Sequence, residues 1–296
     1  MRIGFCVPQF GQAPTAPNAV TGFARGAEAL GADSLWVGDR LLAPVNPVIG
    51  YAGTDSMPEQ FRSSMDPFAV LTASAAVTER VLLGTSVLNA PFYSPALLAR
   101  ALTSIDVISS GRLVPGFGAG WSPDEFGAVG IPMAERGGRL DETLDILDTL
   151  WTRNPAEHHG KRWDIPATHN ELRPARRPPV YLGGRAPGAL RRVARRADGW
   201  LPTAVVPRQF DPGAISQLLR QIRDEAERAG RDPESIDAIL RINAAASATA
   251  GDIVAAIKAG QDIGIDHAYV ELMYLTDTAD AALDLAAQIL TQARRS

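Results

Sequence analysis

Very little in this chain would tie it to an oxidising compartment, a metal, a nucleic acid or a membrane. There is one cysteine, Cys6, in 296 residues, which excludes an internal disulfide and any cysteine-rich metal site. It lies inside the first apolar run, where a buried structural thiol is expected rather than a nucleophile. Histidines are scarce: His158, His159 and His169 share one segment without metal-ligand spacing, and His267 stands alone. No zinc motif, P-loop or Ser-His-Asp order can be drawn. The formal net charge of −4 lacks the basic excess of a nucleic-acid binder. No apolar run reaches the roughly 18 residues of a membrane span, and Met1-Arg2 leads straight into a strand without a signal peptide. A soluble, cytoplasmic protein is expected.

What is present is a regular alternation of strand-like and helix-like segments. Apolar runs fall at 3–7, 34–38, 81–88, 113–117, 180–182, 199–201, 236–242 and 268–273. Between them, helical spacing covers about 18–30, 67–77, 95–108, 135–151, 187–196, 212–229, 249–263 and 277–293. Asp66-Pro67 and Ser94-Pro95 read as helix starts, and Thr249 with Asp252 as a capping box. Gly111 closes the helix that begins at Ser94. The 80–121 stretch alone contains strand, helix and strand, so its strands are parallel and the crossover right-handed. Eight such units over this length predict one α/β domain, residues 1–296, closed as a (β/α)8 TIM barrel. An open doubly wound sheet would need a glycine-rich turn after the first strand, and Pro8-Gln9-Phe10-Gly11 is not one. Two segments interrupt the alternation. Residues 41–65, rich in Pro and Gly, make a long loop after the second strand, of the kind that forms lids. Residues 152–178 make an insertion before the fifth strand, expected as a small hairpin over the barrel mouth.

In a parallel barrel the site is built from residues that follow strand ends. Asp39 is the one carboxylate directly after a buried strand in the first half, with Arg40 beside it. Ser86, Val87 and Asn89 end the third strand. Gly118-Ala119-Gly120-Trp121 and Gly183-Gly184-Arg185 follow the fourth and fifth. Glycine at every second position from 116 to 120 strips side chains from one face. Such a face either packs against protein or lets a flat, phosphate-bearing molecule touch backbone. Backbone N–H groups near a helix N-terminus, with Arg185 adjacent, suit a phosphate. Trp121, Phe92, Tyr93 and the 41–65 loop are expected to enclose an apolar pocket.

These residues carry a resemblance to the luciferase-like monooxygenase superfamily, flavin and deazaflavin enzymes built on a barrel. It is densest in GADSLWVGDR (31–40), LGTSVL (83–88), SGRLVPGFGAGW (110–121), GGR (183–185) and ADGW (197–200). The run from Gly111 to Glu142 is particularly similar to members that use coenzyme F420, although FMN-binding relatives share most of it. The resemblance implies an oxidoreductase moving a hydride between F420 and a small organic substrate. It places Asp39, Ser86, Val87, Asn89, 118–121 and 183–185 around the cofactor, with Asp39 as the catalytic candidate. It also implies a cis peptide at Ser86-Val87 and a homodimer. Arg40, Phe92 and Tyr93 are the substrate-side candidates, Arg40 for an anionic group. Sugar-phosphate dehydrogenases of the family have histidine and glutamate where this chain has Arg40 and Trp121, which argues against sugar-phosphate oxidation. An FMN-dependent monooxygenase served by a partner reductase, and a flavin-binding protein without turnover, are the alternatives.

Overall fold

Parallel strand pairing runs around the whole molecule and returns to its start. The computed structural model describes every residue except Gln209 and Ser296. From Arg2–Cys6, pairing passes to Ser34–Val37, then Leu82–Thr85, then Leu113–Val114. Past Pro115 the chain continues as Gly116–Gly118, between Leu88–Asn89 and Tyr181–Gly183. Tyr181–Gly183 pairs with Gly199–Leu201, and that strand with Asp237–Ala238. Beyond Pro202 and Ile239 the last two continue, still paired, as Thr203–Val206 and Leu240–Ala244. Leu240–Ala244 pairs with His267–Glu271, which returns to Arg2–Cys6. The result is a parallel α/β barrel, whose closure leaves no sheet edge for another chain to extend.

Local chemistry explains where the elements begin and break. Proline has no N–H for the ladder, so the strands are interrupted at Pro115 and Pro202. The two carbonyls still accept bonds from Tyr181 N and Arg241 N, which carries the circuit across each break. Asp66 caps the helix Pro67–Ala76 through Ala69 N at 2.8 Å. The Thr249–Asp252 capping box forms with both of its bonds. Ser94 takes the N-cap position of Pro95–Ile108, but its side chain makes no capping bond. Gly111 stands at φ 83, where a side chain would be strained.

Two sequence expectations need correction, and a third is met. The 81–88 strand is two pieces, Leu82–Thr85 and Leu88–Asn89, separated by a cis Ser86-Val87 bond. Residues 122–126, outside the strand and helix ranges drawn from the sequence, start a short helix, Pro123–Ala128, capped by Ser122. Its sequence is too short to show helical periodicity, so only the cap marks it. The insertion does contain an antiparallel hairpin, Ala156–His159 with Asp164–Thr168. It is tied to the outer helix Arg136–Thr152, because buried Glu142 accepts from Arg162 N at 2.9 Å and Trp163 N at 3.0 Å. A buried carboxylate needs such donors, and the hairpin supplies them.

Side chains pack in two shells. The larger core lies between strands and helices, as layered α/β architecture requires. Inside the barrel a smaller cluster contains Cys6, Trp36, Val114, Tyr181, Leu201, Ile239 and Tyr269. Trp36 stacks on Tyr269 with ring centroids 4.2 Å apart. Its Nε1 donates to Ser34 Oγ, which is bonded in turn to His267 Nε2 at 2.7 Å. Burial, with Arg2 nearby, pushes His267 down to about 3, so the ring is neutral at physiological pH. The barrel floor is thus filled with packed side chains, although His267 Nδ1 has no hydrogen-bond partner among the described residues.

Candidate active site

At the carboxyl ends of the strands the chain forms a cleft lined by Gly38, Asp39, Arg40, Ser86, Val87, Asn89 and Trp121, with Phe10, Tyr51, Phe61 and Arg241. Asp39 follows the strand Ser34–Val37 and accepts from Asn89 N at 2.8 Å. The Tyr93 hydroxyl also bonds to its carboxylate. Burial is the largest influence on Asp39; the Asn89 and Tyr93 bonds and Arg40 oppose it, and Glu125 adds to it. The carboxyl is lifted to about 6. A carboxyl group at that value can give or take a proton near neutrality.

Ser86 and Val87 form the back of the cleft. Tyr269 donates its hydroxyl to Ser86 Oγ, and Arg241 Nη1 donates to Ser86 O at 2.7 Å. Val87 lies against glycines of the next two strands round the barrel. A Cβ on Gly118 would stand 2.7 Å from Val87 Cγ2, and one on Gly183 would stand 3.1 Å from Cγ1. At these two positions, therefore, the missing side chains make room for Val87. Gly118→Ala should drive Val87 into the cleft and weaken binding of a planar ligand about tenfold, with Val87→Ala restoring part of the loss. Equal affinities in a fluorescence titration of G118A and the parent protein would remove Val87 from the binding wall.

Gly120 and Gly184 differ, with φ of 80 and 115. Gly184 O accepts from Trp200 Nε1 at 3.0 Å. Arg185 Nη2 donates to Thr203 O at 2.6 Å. The helix Pro187–Arg196 begins two residues later, and no side chain caps it. Its first N–H groups can therefore take an anion. Ala119 is half-buried and packs against the outer core.

The substrate-side candidates separate. Arg40 is buried, with Nη1 3.0 Å from Glu125 Oε2. Its guanidinium carbon stands 5.0 Å from the Phe61 ring centroid and 4.8 Å from that of Trp121. Glu125 Oε1 also accepts from Leu41 N and Leu42 N, which pins the start of the long loop. Gln9 pins both of its ends, bonding Gly38 and Met65 O. The loop then places Tyr51 and Phe61 on the cleft. Phe92 instead packs edge-on against Phe126, and Tyr93 against Phe68. Sequence reading missed Glu125 and Arg241. The first sits in an unrecognised helix, and the second lies mid-strand, away from the strand ends that guide such a search.

Among the described residues, no group of three or more His, Cys, Asp or Glu could hold a metal ion. No described helix is long and apolar enough to cross a membrane. A parallel barrel with a polar, aromatic-walled cleft at its strand ends and a carboxyl group poised near neutrality is the frame of a barrel enzyme. Residues 1–295 match the luciferase-like monooxygenase family, and the chain belongs to it. An F420-dependent glucose-6-phosphate dehydrogenase of Intrasporangium calvum is 32% identical over 227 residues, 73% of this chain and 62% of that protein. An uncharacterised protein of Mycobacterium tuberculosis is 32% identical over 211 residues, 70% of this chain and 71% of the other. Two solved structures share the fold over 99% of both chains. One is an F420-dependent secondary alcohol dehydrogenase with an F420-acetone adduct, at TM-score 0.78 and 16% identity. The other is the monooxygenase RslO1 of Streptomyces bottropensis, at TM-score 0.76 and 22% identity.

Proposed function

We propose that this chain is an oxidoreductase that moves a hydride between coenzyme F420 and a small organic substrate held in the cleft. The observation that carries the reading is convergence: Asp39, Ser86, Val87, Asn89 and Trp121 line one cavity, and Gly118 and Gly183 flank the same Val87. Val87, braced by two strands, offers a flat apolar wall on which a heterocycle fits. Gly184, Arg185 and the uncapped helix at Pro187 suit its phosphate. The relative from Intrasporangium calvum and the alcohol dehydrogenase structure support F420 as that heterocycle. Bound there, the deazaflavin supplies hydride transfer at C5.

The chain's own residues supply position and a proton site. In the oxidative direction, the substrate C–H bond breaks with its electron pair leaving as hydride, and the adjacent O–H proton passes to the Asp39 carboxylate. The reverse direction returns both. Asn89 N and the Tyr93 hydroxyl orient that carboxylate. Tyr51, Phe61 and Trp121 keep bulk water from the reacting atoms.

Titration of F420 and of FMN, followed by cofactor fluorescence, tests the choice. Micromolar binding of F420 with weaker FMN is expected, and the reverse order would overturn it. The monooxygenase reading is favoured by the likeness to RslO1 and the family's description; oxygen uptake with reduced FMN and a partner reductase would establish it. A homodimer belongs to the proposal as well, and light scattering of the eluted protein would decide it.

A further inference from the structure

Two arginines reach the cleft, and they differ in how much of the side chain a ligand can reach. Arg40 stacks with the Phe61 and Trp121 rings and pairs with Glu125. Its Nε and Nη1 make no hydrogen bond among the described residues, but both are buried from solvent. Arg241 is different. Its side chain keeps 18% of its surface exposed, against 6% for Arg40.

The strand Leu240–Ala244 brings Arg241 beside Tyr269 of the last strand. There Nε donates to Asn243 Oδ1 at 2.8 Å and Nη1 to Ser86 O at 2.7 Å. These two bonds hold the guanidinium plane in place. The third contact, Nη2 to Glu271 Oε2, is 3.4 Å long, which is a weak bond. The other Glu271 oxygen, Oε1, accepts from Met273 N. A guanidinium carries five N–H groups, so three contacts leave two without a protein acceptor.

We propose that Arg241 binds an sp2 oxygen of the substrate, carbonyl or carboxylate, and thereby sets which molecules the cleft accepts. The fixed plane makes the site preorganised, so little freedom is lost when the oxygen docks. Phe10, Tyr51, Phe61 and Trp121 wall the same cleft, which selects small cyclic or aromatic compounds bearing that oxygen. Arg241 also bonds the carbonyl of Ser86, so the substrate oxygen and the wall behind Val87 are tied to one side chain. The role as a substrate site rests on the redox reading above, whereas the oxygen subsite itself does not.

The test needs no turnover. Benzoate, acetophenone and benzyl alcohol are titrated into the wild-type protein and into the R241Q and R241K variants, with tryptophan fluorescence as the readout, since Trp121 lines the cleft. The expected result is that benzoate or acetophenone binds the wild type at least tenfold more tightly than R241Q, with R241K between them and benzyl alcohol indifferent. Loss confined to benzoate assigns the subsite to carboxylates, and loss of both probes assigns it to carbonyl oxygen in general. Affinities within threefold across the proteins, or no binding of either probe to the wild type, would overturn the proposal. If R241Q does not fold, R241K decides alone, and unchanged affinity there is equally fatal. Failure of both F420 and FMN to bind the wild type would instead sink the redox reading and leave these affinities to judge Arg241.

Discussion

Asp39→Asn is expected to lower the rate of the proposed hydride transfer by about 10²–10⁴, the range a positioned general acid or base supplies. Cofactor affinity should change far less, because the amide keeps an oxygen that accepts from Asn89 N. The pH dependence separates this role from a structural one. With the Asp39 carboxyl at about 6, substrate oxidation needs its ionised form, so the rate should rise through pH 6, and the Asn variant should lose that step. Stability moves the opposite way. The folded value lies above the roughly 3.9 of an unfolded aspartate, so the folded state binds more protons between those values and loses stability as pH rises from about 4 to about 6. Asp39→Asn should therefore be more stable than the parent at pH 8, by about 1–3 kcal/mol, and indistinguishable from it near pH 3. A variant that keeps both the rate and the pH step near 6 would clear Asp39 of any proton-transfer role.

Glu125→Ala should be the most damaging single change to the loop over the cleft. Removing one member of a buried ion pair leaves the other charge without compensation, which costs about 3–5 kcal/mol. Here the residue left behind is Arg40, with its Nε already lacking a protein acceptor. The same substitution strips the acceptor from Leu41 N and Leu42 N. Loss of order should therefore begin in the segment between 41 and 65 and precede global unfolding. Limited proteolysis should cut there first, while denaturant unfolding reports the total. Glu125→Gln, which retains a carbonyl for the two amides, should fall between alanine and the parent. Alanine and parent curves that coincide would mean that Phe61 and Trp121 hold Arg40 without help from the carboxylate.

Much of the scaffold was legible in the chain because its signals are local. A buried parallel strand is a short apolar run, and a helix start is a proline or a capping residue, so both show in a few consecutive letters. The Thr249–Asp252 capping box and the left-handed turn at Gly111 were readable for that reason. The strand-end rule then led to Asp39, Ser86, Val87, Asn89 and Trp121, all of which face one cleft. Glycines 118 and 183 show the limit of that rule. Each was compatible with a ligand face or with packing, and only the position of Val87 shows whose atoms occupy the space.

By itself, the sequence determined the alternation of strands and helices, the family, and the set of loops from which a site had to come. Those follow from backbone propensity and hydrophobic period, which act over a few residues. Tertiary structure alone decided which side chains meet: Arg40 with Glu125, Tyr93 with Asp39, and Arg241 with Ser86 across 155 positions of chain. Barrel closure creates such contacts, and no local pattern encodes them, because a charged side chain reads the same in sequence whether its partner is water or a buried carboxylate.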